Sequence, residues 1–289
     1  MQYALLSLTV LLLTLQKIGQ KRFSAATPSG AFLFGGMISL CAMAVFGLTT
    51  VAQQAWTWEP VFLFPAVGFG VSYAVGTVFT VLAIRYGSLA RTTLITSYSL
   101  LVPALAGLIL LDEPLTVTLV VGMLLVALSL WLTNYRRGGS ENPITLKWVL
   151  CVSLGFAGNG LCSTVQKLAP RYIPGEALNA NVYMTVALGL SAALLMAASV
   201  LTREPDRRNI LHRGAPWALL CGLCNGGVNL LVLYLNGILP ASVMFPTMSV
   251  GQIILICLYA TFVCRERHTK GQWAGFAVGM AAVLLLNLA

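Results

Sequence analysis

The sequence predicts an all-α, polytopic membrane protein with ten transmembrane helices as two inverted five-helix repeats. Three observations carry this expectation. The chain is 58% hydrophobic and only 9% charged, with a mean hydropathy of +0.87, which is more apolar surface than a soluble core can hide. The apolar residues gather into ten runs, each near the roughly 20 residues a helix needs to cross the hydrocarbon. Finally, the sequence matches itself in register when shifted by 153 residues, the mark of an internal duplication.

The first run, 2–20, has no basic segment ahead of it and no small-residue cleavage site behind it, so it reads as a retained helix and not as a removed signal. It stops at Lys21 and Arg22. The second and third runs are 31–52 and 61–84, the third ending at Arg85. The fourth, 89–111, carries Thr92, Thr96, Ser99 and Pro103. An acidic turn, Asp112-Glu113-Pro114-Leu115-Thr116, leads into the fifth, 115–134, which carries Gly122 and ends at Asn134-Tyr135-Arg136-Arg137.

A polar linker, 138–145, opening with Gly138-Gly139-Ser140, divides a first repeat, 1–137, from a second, 146–289. Beyond it the sixth and seventh runs, 146–168 and 177–201, flank Arg171. Arg203, Arg207, Arg208 and Arg213 precede the eighth, 215–236. The ninth and tenth, 239–264 and 270–288, are parted by Arg265-Glu266-Arg267-His268. Five helices is an odd number, so the second repeat must cross the membrane inverted relative to the first.

The duplication is clearest from Gly87 to Tyr135, a run, a turn and a run whose layout returns from Pro240 to Leu288. Glu113 meets Glu266, Thr116 meets Thr269, Gly122 meets Gly275, Thr96 meets Ser249 and Ser99 meets Gln252. The stretch Gly87-Ser88-Leu89-Ala90, a mid-run Pro103, Glu113-Pro114-Leu115-Thr116 and Gly122 resembles the signature of the EamA-type drug/metabolite transporters. Ala241-Ser242-Val243, Glu266-Arg267-His268-Thr269 and Gly275 resemble it more loosely. The resemblance implies a membrane transporter with an inverted repeat and a site near the midplane where the halves meet.

Glu113 and Glu266 each stand just before an apolar run, where a carboxylate caps free N–H groups and meets the positive end of the helix dipole. Pro114 occupies the first helical position. Gly271, Gly275 and Gly279 form a GxxxG ladder on the last run, with Gly122 on the matching face of the fifth, so these two helices are expected to pack closely as scaffold.

The net charge of +9 is a matter of topology and not of nucleic acid. The connections after runs 1, 3, 5, 7 and 9 hold Lys21, Arg22, Arg85, Arg91, Arg136, Arg137, Lys147, Arg203, Arg207, Arg208, Arg213, Arg265, Arg267 and Lys270, against Arg171 alone on the other side. The crowded side is cytoplasmic by the positive-inside rule. Both termini are then outside, in a multi-pass protein of the plasma membrane. Many proteins of the resemblance keep their termini inside; the charge distribution points the other way and is followed.

The seven cysteines lie almost wholly within runs and behave there as small apolar residues. Cys221-x-x-Cys224 has no His or acid nearby, so neither a metal site nor a cofactor is expected. Ionisable residues within runs say more, because charge in hydrocarbon marks a pathway or a partner. Gln16-Lys17 and Gln166-Lys167 are two such places, 150 residues apart, and are expected to be symmetry mates lining a cavity; the alternative is that each lysine snorkels to the headgroups.

Polar residues share faces at helical spacing: Tyr73, Thr77 and Thr80; Asn159, Ser163 and Gln166; Asn225, Asn229 and Asn236. Thr96, Ser99, Ser249 and Gln252 add symmetric pairs. The expected substrate-binding set is Gln16, Lys17, Tyr73, Thr96, Ser99, Asn159, Gln166, Lys167, Asn225, Asn229, Ser249 and Gln252. Singly, each could serve as interhelical glue.

The function expected is a secondary transporter moving a small polar, anionic or zwitterionic metabolite, such as an amino acid, by alternating access. The runs hold two lysines and no carboxylate, so a substrate carboxylate or phosphate has a partner at depth and an organic cation has none. A lysine taken out of water can also shed its proton, making a proton the expected coupling ion. A multidrug or cationic-compound exporter is the alternative within the same superfamily. A membrane enzyme on lipid-linked substrates is a further one, but it needs acid/base pairs or metal ligands, and His212 and His268 both fall in connections. No P-loop appears to power a pump. The lipid bilayer and a small molecule are the expected partners, for a monomer or homodimer.

Overall fold

The computed structural model describes residues 2–27, 29–53, 60–87, 89–99, 101–110, 116–134, 145–172, 179–205, 207–263 and 270–286. All regular structure among them is helical. In chain order the helices are α1 Gln2–Ala26, α2 Ala31–Ala52, α3 Leu63–Tyr86 behind a 3-10 turn at Pro60–Phe62, α4 Leu89–Tyr98, α5 Leu101–Leu110, α6 Val117–Asn134, α7 Leu146–Tyr172 and α8 Ala180–Leu201. They continue with α9 Arg207–Asn209, a π-helical turn Ile210–Gly214, α10 Ala215–Asn236, α11 Ala241–Phe262 and α12 Lys270–Leu286. The acidic turn at 112–115, Glu266 and most of the linker lie outside the described residues.

Six of these segments are long and apolar enough to cross a membrane: α1, α2, α3 with its lead-in turn, α7, α8, and α10 with the residues from Arg207. The chain is a multi-pass membrane protein. Two differences from the sequence expectation have physical causes. The first helix runs six residues beyond the expected end at 20, because the aliphatic stems of Lys21 and Arg22 continue a helix as readily as they end an apolar run.

The expected fourth span, 89–111, is two helices. Pro103 has no N–H to give the carbonyl four residues back, that of Ser99, and its ring crowds that oxygen. The Ser99 carbonyl instead accepts from Val102 N at 3.1 Å, and Ser99 N donates to the Thr96 carbonyl at 3.3 Å, so a tight turn separates α4 from α5. By contrast, α11 continues through Pro246.

Each helix packs on a specific neighbour. α3 lies on α7, α1 on α10, α2 on α8, α6 on α12, and α11 against α5 and α1; α2 also meets α10, and α3 meets α8. Lipid is as apolar as leucine, so close van der Waals contact and polar ties hold these pairs together in place of hydrophobic exclusion. Where α7 crosses α3, a methyl on Gly158 would sit 2.4 Å from the backbone nitrogen of Gly76, so only two glycines let these backbones approach so closely.

On α6, the Ser129 hydroxyl donates to the Gly275 carbonyl of α12 at 2.7 Å, the close packing expected of the glycine ladder. Trp148 at the start of α7 donates from Nε1 to Thr92 Oγ1 at 2.9 Å and so ties α7 to α4. The Glu204 carboxylate accepts from the N–H groups of Phe32 and Leu33, each at 2.9 Å, capping α2 from the connection after α8.

Candidate functional site

Six stretches of helix line a cavity of about 110 Å³. α1 presents Leu13, Gln16, Lys17 and Gln20; α3 presents Tyr73, Thr77 and Thr80; Thr96 of α4 and Ser99 at the helix break lie between them. From the other half, α7 presents Asn159, Cys162, Ser163 and Gln166, α10 presents Asn225, Val228, Asn229 and Val232, and α11 presents Phe245, Met248 and Gln252. Intervals of three and four residues put each set on one helix face. The break between α4 and α5 belongs here, because irregular backbone at membrane depth is tolerated where it lines a cavity or is buried in protein.

The amides of the wall are largely tied to protein. Asn159 Nδ2 donates to Thr80 Oγ1 at 3.1 Å, and Asn229 Nδ2 donates to Asn225 O and Oδ1, both at 2.9 Å. Gln252 Nε2 donates to the Leu13 carbonyl at 3.1 Å, and its Oε1 accepts from Ser97 Oγ at 3.4 Å. Gln166 Nε2 reaches the Asn229 carbonyl at 3.4 Å. The Thr96 and Ser99 hydroxyls donate back into their own helix at Thr92, Thr93 and Thr96.

Three wall groups differ from these. The Tyr73 hydroxyl is buried without a hydrogen-bond partner among the described residues. Gln20 Oε1 is buried without a hydrogen-bond donor, and the Lys17 ammonium faces the cavity with no carboxylate among the lining residues.

Ten of the twelve residues expected from sequence line this cavity; Lys167 and Ser249 do not. Lys167 stands one residue past Gln166, where Nζ donates to the Leu239 carbonyl at 3.3 Å and the Asn236 carbonyl at 3.5 Å. Ser249 Oγ donates to the Ser97 carbonyl at 2.8 Å, joining α11 to α4. Thr77, Thr80 and Ser163 sit on the expected faces. Gln20 went unforeseen, although it lies one turn from Gln16 and that spacing was available to find it. Cys221, of the CxxC pair, donates from Sγ to the Gln16 carbonyl at 3.4 Å, a packing tie behind the wall.

The two halves line the cavity in matching register. On α1 the positions are 13, 16, 17 and 20; on α7 they are 159, 162, 163 and 166, the same spacing 146 residues later. Positions 73, 77 and 80 of α3 correspond likewise to 225, 229 and 232 of α10, 152 residues later. In this register Lys17 pairs with Ser163, and Lys167 pairs with Lys21. The expectation that Lys17 and Lys167 are mates is therefore corrected. The offset grows by six because two connections are each three residues longer in the second half, 173–179 against 27–30 and 202–214 against 53–62.

Membrane-crossing helices around a cavity lined largely by polar residues, with polar side chains converging from both halves of the chain, make up the architecture of a membrane transport protein. Residues 145–288 match the EamA-like transporter family, and the chain is a membrane transporter of that family, within the drug/metabolite transporter superfamily. A solved structure described only as a crystal structure of a protein superposes with a TM-score of 0.72, covering 99% of this chain and 96% of the other at 17% identity; the likeness is one of fold. No curated protein matches the chain.

Proposed function

We propose that the protein is a secondary carrier for a small anionic or zwitterionic metabolite, working by alternating access in the plasma membrane. The observation that carries this reading is the Lys17 ammonium in a cavity wall without a carboxylate. An anionic group of the substrate gains a charge-assisted hydrogen bond there, and the pairing offsets the cost of desolvating both charges. An organic cation meets like charge instead. A cavity of about 110 Å³ suits a compact solute of amino-acid size. Lys17 is also the wall residue able to exchange a proton during the cycle, which makes a proton the coupling ion of this reading.

The chain in this reading forms ten spans in two inverted repeats, 1–137 and 146–289, joined by 138–145. α4 with α5 makes one span, and α10 takes in the π-helical turn. The helix pairing supports it: exchanging the halves turns α3 on α7 into α10 on α1, and α2 on α10 into α8 on α3, while α2 on α8 and α6 on α12 map onto themselves. Contacts between residues 152 apart, Ser39 with Ser191 and Ser97 with Ser249, are those a two-fold axis in the membrane plane produces. Alternating access then follows as rocking of the halves about that axis.

The test is counterflow in proteoliposomes. Labelled amino acids and organic acids are expected to exchange, unconsumed, in wild-type protein and not in Lys17→Gln. Exchange restricted to quaternary ammonium compounds sinks the proposal.

A further inference from the structure

The register of the two cavity walls places a second pair of lysines just beyond the cavity's two ends. Gln20 and Gln166 are the last lining residues of α1 and α7, and each is followed at once by a lysine, Lys21 and Lys167. In the second half the geometry of this step is explicit. Gln166 Nε2 reaches the Asn229 carbonyl inside the cavity, and Lys167 Nζ, one residue outward, takes the Asn236 carbonyl at the C-terminal end of α10 and the Leu239 carbonyl in the turn that follows it.

The Asn236 oxygen is the last carbonyl of α10, unpaired within the helix and at the negative end of its dipole, and the Leu239 oxygen belongs to the turn just past it, so an ammonium is well placed there. The corner is closed: Asn236, whose carbonyl Lys167 holds, has both side-chain amide atoms buried with no partner among the described residues. Two consecutive side chains of α7 thus pin α10 at one end of the cavity, and α7 and α10 supply much of the wall that must part for that end to open.

We propose that Lys167 and Lys21 are the latches of the carrier's two gates. Lys167 holds one end of the cavity shut by clasping the carbonyls at the C-terminal end of α10 and in the turn that follows it. Lys21 does the same at the other end with the C-terminal carbonyls of α3, around Ile84 and Gly87, which correspond to Asn236 and Leu239 in the 152-residue register. The transport cycle releases one latch while the other holds. Lys167 is then a gating residue and not a ligand of the substrate, while Lys17, whose mate is Ser163, is the charged group that meets it. The proposal rests on the carrier reading above.

The test reads gate opening without needing the substrate. In a background lacking the seven native cysteines, Ser163→Cys places one thiol in the cavity wall. Its reaction rate with a charged, membrane-impermeant thiosulfonate is measured from each side in sealed vesicles of opposite orientation. Lys167→Met is expected to raise the rate roughly tenfold from the side on which Lys167 lies, and Lys21→Met to raise it from the opposite side, the size of effect expected for an ammonium at a helix C-terminus. Lys167→Gln, which keeps a donor, serves as second variant and is expected to give a smaller rise on the same side.

Unchanged rates in folded Lys167→Met and Lys167→Gln protein overturn the latch, as does a rise equal from both sides, and neither result touches the carrier reading. A thiol unreactive from both sides in the parent and in every variant overturns the latch and the carrier reading together.

Discussion

The hydroxyls of Ser39 on α2 and Ser191 on α8 share a hydrogen bond of 3.2 Å across 152 residues of sequence. Both side chains are fully buried, and Ser39 also donates to the Gly35 carbonyl of its own helix at 2.9 Å. A polar pair at this depth has no water to fall back on, yet interhelical hydrogen bonds in membranes average only about 0.6 kcal/mol.

A double-mutant cycle of Ser39→Ala and Ser191→Ala is therefore expected to give a coupling of about 0.5–1.5 kcal/mol in detergent. Ser39→Leu is expected to cost about 1–3 kcal/mol, because it adds bulk to a dry crossing. A Ser39→Leu protein as stable as wild type would show that this crossing is not close-packed.

The crossing of α3 and α7 gives a sharper contrast. A Cβ on Gly158 meets the Gly76 backbone nitrogen at 2.4 Å and the Ser72 carbonyl at 2.8 Å, atoms that cannot rotate away, whereas a Cβ on Gly47 has its nearest neighbour, Thr185 Cγ2, at 4.0 Å. Gly158→Ala is expected to lose about 1–3 kcal/mol or to abolish folding. Gly47→Ala, on the same chain in open space, is expected to be neutral or stabilising by a few tenths to about 1 kcal/mol through helix propensity. Thermal melts of the two variants decide the matter, and equal melting temperatures would refute the crossing as placed.

How far the sequence was legible follows from what each signal measures. Composition counts apolar surface, so the six long apolar helices were readable from sequence. Helical spacing fixes which residues share a face, so Asn225 with Asn229, and Asn159 with Gln166, were correctly placed together before any coordinates. Register between repeats was harder to read. The offset of 153 read from Glu113 and Glu266 does not carry back to α1, where seven residues fewer separate the matching wall positions, so Lys167 was paired with Lys17 instead of Lys21. The break at Ser99 escaped because hydropathy does not sense a missing backbone N–H, even with Pro103 in plain view. Lys167 satisfies helix-end carbonyls, and which carbonyls lie in reach is a tertiary fact.

Glu204 offers a test of how the halves are tied. Its carboxylate takes two backbone N–H groups at the start of α2 and the Ser199 hydroxyl, all at 2.9 Å, and no side chain of α2's own N-cap, Gly30, performs that task. Glu204→Ala is expected to cost about 1–2 kcal/mol, the upper range for a cap, and Glu204→Gln somewhat less because one oxygen acceptor remains. Chemical or thermal denaturation in detergent measures both. An unaffected melt in Glu204→Ala would mean that water caps α2 equally well.

Orientation has its own check. Fourteen lysines and arginines on one set of connections, against Arg171 on the other, are the basis for expecting the crowded side in the cytoplasm and both termini outside. An alkaline-phosphatase fusion after Ala289 is expected to be active and a fluorescent-protein fusion there to be dark. The reverse pattern inverts the expected topology.

The last prediction separates the two lysines that the sequence treated alike. Lys17 lines the cavity and Lys167 does not, so removing their charges must fail in different ways. Lys17→Gln deletes a charge-assisted contact, about 1.5–3 kcal/mol of binding, so the dissociation constant of an anionic substrate is expected to rise roughly tenfold to a hundredfold. Lys17→Arg keeps a charge but adds a planar fork the small cavity was not shaped for, and is expected to recover only part of the affinity. Lys167→Met breaks a contact between helices and leaves the substrate's own contacts in place. Its effect is expected in the rates of exchange, with equilibrium affinity changed by no more than the shift in gate populations allows. Binding is followed by thermal shift or scintillation proximity, and exchange by counterflow. If Lys17→Gln binds as tightly as wild type while Lys167→Met does not, the roles assigned to the two lysines are reversed and the cavity wall on α1 is not where the substrate's charge is met.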